Sequence, residues 1–117
     1  MITPHQLVRL RESRRRQLMK EMERVKRRLI TMGAQKIVLF GSAARDDVTL
    51  FSDVDMLVVM PSPLPFVERL QGIYRRIHPA AVDLFVYTPE EFEDIKDSNP
   101  LVRQALKEGK TVYEKES

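Results

Sequence analysis

Two stretches, Ile37-Val38-Leu39-Phe40-Gly41-Ser42-Ala43-Ala44-Arg45 and, after a short gap, Ser52-Asp53-Val54-Asp55-Met56-Leu57-Val58-Val59-Met60, decide how this chain folds. The first is a branched, apolar run that stops at a small-residue turn. The second opens on two carboxylates and continues as another apolar run. Residues two apart on a strand point to the same face, so Asp53 and Asp55 present both carboxylates together, with Cα atoms ~7 Å apart. That spacing suits one or two hard cations held through oxygen. The Gly41-Ser42 turn can offer backbone N–H groups to a phosphate. A phosphate cradle beside an acidic metal grip is what nucleotidyl transfer requires.

The remaining pattern supplies alternating elements. Thr3-Pro4-His5-Gln6 reads as a helix start, with Thr as N-cap, Pro at the first position and Gln three residues after the cap. The helix is expected to run to about Met32, with Gly33 as its stop. Leu7, Leu10, Leu18, Met22, Val25 and Leu29 form its apolar stripe, and Arg14 interrupts that stripe. The first two turns are therefore expected to be held less firmly than the last three. Strands are expected at Lys36–Phe40 and Asp53–Met60, with the turn Gly41–Asp46 and a loop to Ser52 between them. After Pro61-Ser62-Pro63-Leu64-Pro65 a helix should bury Phe66, Leu70, Ile73 and Ile77, and Pro79 ends it. A third strand follows at Ala81–Tyr87. Thr88-Pro89-Glu90-Glu91 repeats the cap signal, Asn99-Pro100 starts a further helix, and Thr111–Tyr113 is an edge strand. Such alternation predicts an α/β fold, with helices against a small sheet. The expected organisation is a single domain over 1–117, with a basic helix at 1–33 and an α/β core at 34–114.

The 117 residues include no cysteine, which excludes disulfides, thiolate nucleophiles and thiolate metal sites. No apolar run reaches membrane-spanning length, and no signal peptide is read at the start, so the cytoplasm is the expected location. The net charge of +3 conceals an asymmetry: residues 1–36 carry 11 Lys/Arg against 3 Glu, whereas the remainder is acidic. Arg14, Arg15, Arg16, Arg24, Arg27 and Arg28 wrap around the first helix and are read as a solvated face rather than a binding surface. Without interleaved aromatic residues they give poor support to nucleic-acid recognition. His5 and His78 lack metal-ligand spacing. The tyrosines fit core edges, and Met19, Met22 and Met32 fit packing gaps.

Asp83 is the one charge in the otherwise apolar run Ala81-Val82-Asp83-Leu84-Phe85-Val86. If its strand neighbours the one that follows Asp53, three carboxylates converge. An oxygen-only set of this kind suits Mg²⁺, including a two-ion site. Asp83 is also a candidate to take the proton from an attacking hydroxyl. Each piece alone has a bland explanation, because Asp-x-Asp is ordinarily a cap or a solvated pair and Gly-Ser marks many loops. The ordered combination, each part at a strand end, is the signal.

Gly41-Ser42, Arg45 and Ser52-Asp53-Val54-Asp55 at this spacing resemble the signature of the DNA polymerase β-type nucleotidyltransferase superfamily, and in particular its minimal nucleotidyltransferase group. The resemblance runs from about Lys36 to Tyr113. It implies a polymerase β-like palm, a small mixed sheet flanked by helices, here with a long N-terminal helix. It assigns nucleotide binding to Gly41, Ser42, Arg45 and Ser52, and catalysis and metal binding to Asp53, Asp55 and Asp83. It also implies Mg²⁺ as cofactor and an NTP, preferentially ATP, as donor. The acceptor hydroxyl would belong to a docked partner, such as a tyrosine of a HEPN-domain toxin that this chain neutralises as antitoxin. The pattern departs at Asp46, which stands where the group has its second glycine, and at Met56 in place of Leu. Asp46 favours an alternative in which the chain neutralises a partner by docking alone. The apolar stripe of the first helix leaves room for a homo-oligomer or partner interface.

Overall fold

A computed structural model describes residues 1–45 and 53–116. Its elements follow the expected order: α1 (Pro4–Thr31), β1 (Lys36–Phe40), a 3₁₀ turn (Gly41–Ala43), β2 (Val54–Val59), α2 (Phe66–Ile77), β3 (Val82–Tyr87), α3 (Pro89–Ile95), α4 (Pro100–Glu108) and β4 (Lys110–Glu114). The sheet order is β3-β2-β1-β4. β1 is antiparallel to both β2 and β4, while β2 and β3 run parallel across the α2 crossover. β4 is an edge strand, as expected.

Local sequence explains where the helices start. Thr3 and Thr88 both close full capping boxes, with Gln6 and Glu91 returning the bond to the cap backbone, and Pro occupies the first turn in each case. The Asn99 carboxamide accepts from the backbone N–H groups of Leu101 and Val102. Gly109 ends α4 where space is the constraint, because a Cβ there would meet Leu39 O and Val38 Cγ1 of β1 at 2.7 Å.

The strand period of two divides the sheet's side chains between two layers. Ile37, Leu39, Val54, Met56, Val58, Val82, Leu84 and Val86 face α1 and α2, where Leu18, Met22, Val25, Leu29, Ile73 and Ile77 are buried against them. Val38, Phe40 and Leu57 face the opposite way, under Val102 and Ala105 of α4, with Phe85, Phe92 and Leu101 at the rim. The α1 stripe is thus used only from Leu18 onward; Leu7 and Leu10 remain exposed. Phe66 departs from the expected α2 core face. It stays exposed and packs against the Tyr87 ring, with centroids 5.7 Å apart.

On α2, Arg69 is buried one turn before Ile73, only 3% exposed. Its guanidinium donates to Val86 O (2.9 Å) and Leu64 O (3.0 Å) and grips both Glu91 carboxylate oxygens at 2.8 and 3.0 Å. A few residues along α2, the Tyr74 hydroxyl accepts from Leu84 N and donates to Val82 O. These contacts fall on the free edge of β3, so α2 side chains satisfy backbone groups that a further strand would otherwise seek.

The basic run on α1 also has structural duties. Arg24 donates to Ile77 O and His78 O, and Arg28 donates to Arg76 O, so both cap the negative end of the α2 dipole. Glu21 accepts from Ala80 N and pairs with Arg24. Part of the expected solvated face is therefore a clamp between two helices. Among the described residues, no helix is long and apolar enough to cross a membrane.

Removing the Arg69 guanidinium would strand two carbonyls and the Glu91 carboxylate. Arg69→Met is expected to lower stability in urea by about 3 kcal/mol. The hydrogen bond from Arg69 is the main cause holding Glu91 below its ordinary value of 4.5. Glu91 therefore contributes stability that is complete above about that pH and is lost as pH falls through its lowered folded value. Glu91→Gln should remove that part of the acid dependence in pH-stepped denaturation.

Candidate active site

β1 delivers the chain to Gly41, whose φ of 77° is one that L side chains rarely adopt. Space imposes a second demand: a Cβ at Gly41 would overlap Asp55 Oδ2. Phe40 and Asp55 are register partners across β1 and β2, so the turn crosses directly over the Asp55 carboxylate. Glycine at position 41 is what allows a backbone turn and a carboxylate to share this corner. Ser42 follows in the 3₁₀ turn and is half-buried.

The parallel β2–β3 ladder pairs Asp55 with Asp83. Neighbouring strands lie about 4.8 Å apart, and paired residues project to the same face, here the one that carries α3 and α4 further along. Asp53 stands two residues before Asp55, just outside β2. The structure thus brings Asp53, Asp55 and Asp83 to one end of one sheet face. Asp55 is half-buried, while Asp53 and Asp83 are exposed. Burial raises the Asp55 carboxyl above the usual carboxylate range, and the charges of Asp83 and then Asp53 push it further in the same direction.

Arg14 of α1 lies 4.0 Å from Asp53 Oδ1. Its interruption of the apolar stripe was the sequence signal for that approach, because it marks where α1 passes the acidic end of the sheet. Arg45, the residue expected to touch phosphate, lies 3.9 Å from Glu108 Oε2 at the end of α4. The expected nucleotide-binding Ser52 and the departing Asp46 lie outside the described residues.

The donor set fits a hard divalent cation in its chemistry: carboxylate oxygens, with no thiolate in the chain and both histidines elsewhere, His5 in the first turn of α1 and His78 at the end of α2. Among the described residues, however, no three His, Cys, Asp or Glu side chains are drawn together into a ready-made cage. That arrangement agrees with electrostatics, since three bare carboxylates repel and spread.

The raised Asp55 carboxyl has a consequence for stability. Folded Asp55 holds its proton more tightly than it does unfolded, so its contribution is complete below the ordinary value of 3.8 and is lost as pH rises through the raised folded value. At neutral pH the charge therefore destabilises the fold. Asp55→Asn should raise the melting temperature there. The gain should vanish in acid, where wild-type Asp55 is protonated; thermal melts across pH check both.

The sequence profile of the nucleotidyltransferase domain matches residues 18–110, which spans β1, the Gly41 turn and all three aspartates. A search of curated proteins finds no match. Among solved structures, a candidate nucleotidyltransferase from Sulfolobus solfataricus aligns over 91% of this chain and 88% of that chain, with 17% identity and a TM-score of 0.64, which is a likeness of fold. Two toxin–antitoxin structures align less closely. One, with AMP-PNP, covers 83% of this chain and 73% of that chain at 22% identity and a TM-score of 0.49. The other, a MntA–HpeT mutant, covers 84% and 73% at 23% identity and a TM-score of 0.47. With its fold and four-fifths of its length accounted for in this way, the chain belongs to the nucleotidyltransferase domain family.

Proposed function

We propose that this nucleotidyltransferase transfers a nucleoside monophosphate, AMP from ATP in the favoured reading, to a hydroxyl on a partner protein in the cytoplasm. The observation that carries this reading is the pairing of Asp55 with Asp83 directly beneath the Gly41 turn. In the transfer, the acceptor oxygen attacks the α-phosphorus and a new P–O bond forms. The bond to the bridging oxygen breaks, and pyrophosphate leaves with that electron pair.

The turn at Gly41 and Ser42 supplies backbone N–H groups and a hydroxyl to the triphosphate, and Ser52 is the further candidate. Asp53, Asp55 and Asp83 would hold Mg²⁺. When bound, the metal would supply positive charge that offsets the charge of the phosphates. Asp83 is exposed and so is free to accept the proton of the acceptor hydroxyl. Arg45 reaches phosphate once it exchanges Glu108 for the more highly charged ligand. The acceptor class follows the resemblance to minimal nucleotidyltransferases: a tyrosine of a HEPN-type toxin, which makes this chain the antitoxin of the pair.

A second reading, neutralisation by docking alone, is favoured by one feature. Arg14 and Arg45 both lie against carboxylates rather than in an open phosphate cradle. Calorimetric titration of ATP with and without Mg²⁺ separates the two. Catalysis predicts Mg²⁺-dependent binding that weakens by about 10–100-fold in Asp53→Asn/Asp55→Asn. It also predicts a transfer rate lowered by about 10²–10⁴-fold in Asp83→Asn. Absence of binding under every condition would favour docking alone.

A further inference from the structure

The α1 helix is longer than the sheet it covers. Its 28 residues span about 42 Å, whereas strands of five or six residues span about 17–20 Å. The molecule is correspondingly elongated, 51 × 30 × 27 Å. Arg14 stands at the acidic end of the sheet, beside Asp53. Everything before it therefore extends past the acidic end of the sheet, by about 15 Å of helix for residues 4–13.

The overhang is apolar where a free helix should be polar. Ile2, Leu7, Val8 and Leu10 are 58, 37, 57 and 42% exposed. Leu7 and Leu10 do not form a separate patch. With Arg14 and Leu18 they keep the i, i+3, i+7, i+11 spacing of the stripe that is buried from Leu18 onward. The same face that builds the α1 side of the core thus continues past the end of the sheet, and among the described residues Leu7 and Leu10 on it stay exposed. Arginines frame it: Arg9, Arg11, Arg15 and Arg16 against Glu12 alone in residues 4–16, apart from Arg14 itself.

Charge identifies the occupant. Two copies of this chain pairing stripe on stripe would bring two arginine-rich surfaces together, which costs free energy at every contact. A partner helix with an apolar stripe flanked by Asp and Glu meets no such penalty. It would extend the existing core beyond the sheet and draw its charges onto the arginine frame. We infer that the overhanging first turns of α1 are the docking surface for an acidic amphipathic helix of the acceptor protein, seated so that the acceptor lies at the Asp55–Asp83 end of the sheet. The inference rests on the proposed transfer to a docked protein, but its test does not involve catalysis.

The probe is a synthetic helical peptide whose leucine stripe is flanked by glutamates, compared with a peptide of identical stripe flanked by lysines. Fluorescence anisotropy with the full chain should show binding of the glutamate peptide that weakens as salt rises, and binding of the lysine peptide weaker by roughly tenfold or more. Leu7→Ser/Leu10→Ser should abolish the difference, and Arg11→Ser should reduce both affinity and its salt dependence. All three positions are exposed, so thermal melts of these variants should match the wild type and show that the core is untouched. Equal binding of the two peptides, or glutamate-peptide binding indifferent to Leu7 and Leu10, overturns the inference. So does a dimer in sedimentation that Leu7→Ser/Leu10→Ser dissociates, because the occupant is then a second copy. Mg²⁺-ATP titration of the Leu7→Ser/Leu10→Ser variant should be unchanged. Failure of nucleotide binding in the wild type would count against the transferase reading and leave the docking result standing.

Discussion

Two like charges held side by side on a rigid sheet set the terms for the rest of this structure. The parallel ladder between β2 and β3 fixes Asp55 against Asp83, and neither strand can shift by one residue without turning its apolar set away from the core. The repulsion is therefore built into the register. The surroundings accommodate it locally. Gly41 leaves room over Asp55, Arg14 stands by Asp53, and Asp83 remains open to solvent. Carboxylates held together in this way concentrate negative charge at one end of the sheet, the feature on which the proposed function rests.

Much of this was legible in the residues. The capping boxes at Thr3 and Thr88 placed two helix starts, because each is a local contract between a hydroxyl and the residue three positions on. The three aspartates stood out because Asp53 and Asp55 open one apolar run and Asp83 is the only charge in another. That their strands are neighbours was a conditional expectation, and the parallel register supplied the condition. What lay out of reach depends on distance along the chain. The pairing of Arg69 with Val86 O and Glu91 spans 17 and 22 residues, and Arg69 looked like one more polar position on an amphipathic helix. Arg24 and Arg28 likewise find their acceptors some 50 residues away. A side chain whose role is to satisfy the backbone of a distant element leaves no periodic trace.

The same lesson applies to α1. Its stripe reads as a single amphipathic surface from Leu7 to Leu29, but the sheet is too short to use all of it. Only the sizes of the two elements, compared in three dimensions, distinguish the buried half from the overhang. Arg14, which seemed a flaw in the stripe, marks the boundary between them.

The closure of the β3 edge by Tyr74 and Arg69 has a bearing on how copies of this protein meet at high concentration. A sheet with one edge occupied by side chains can be lengthened only from the other side. There β4 is a short strand that carries Lys110 and Glu114 at its ends, with Lys115 adjoining. The sheet thus ends differently on its two sides, with hydrogen-bonded side chains along β3 and a short, charged strand at β4. Backbone pairing between copies is hindered at the β3 edge, where side chains already hold the outward-facing backbone groups.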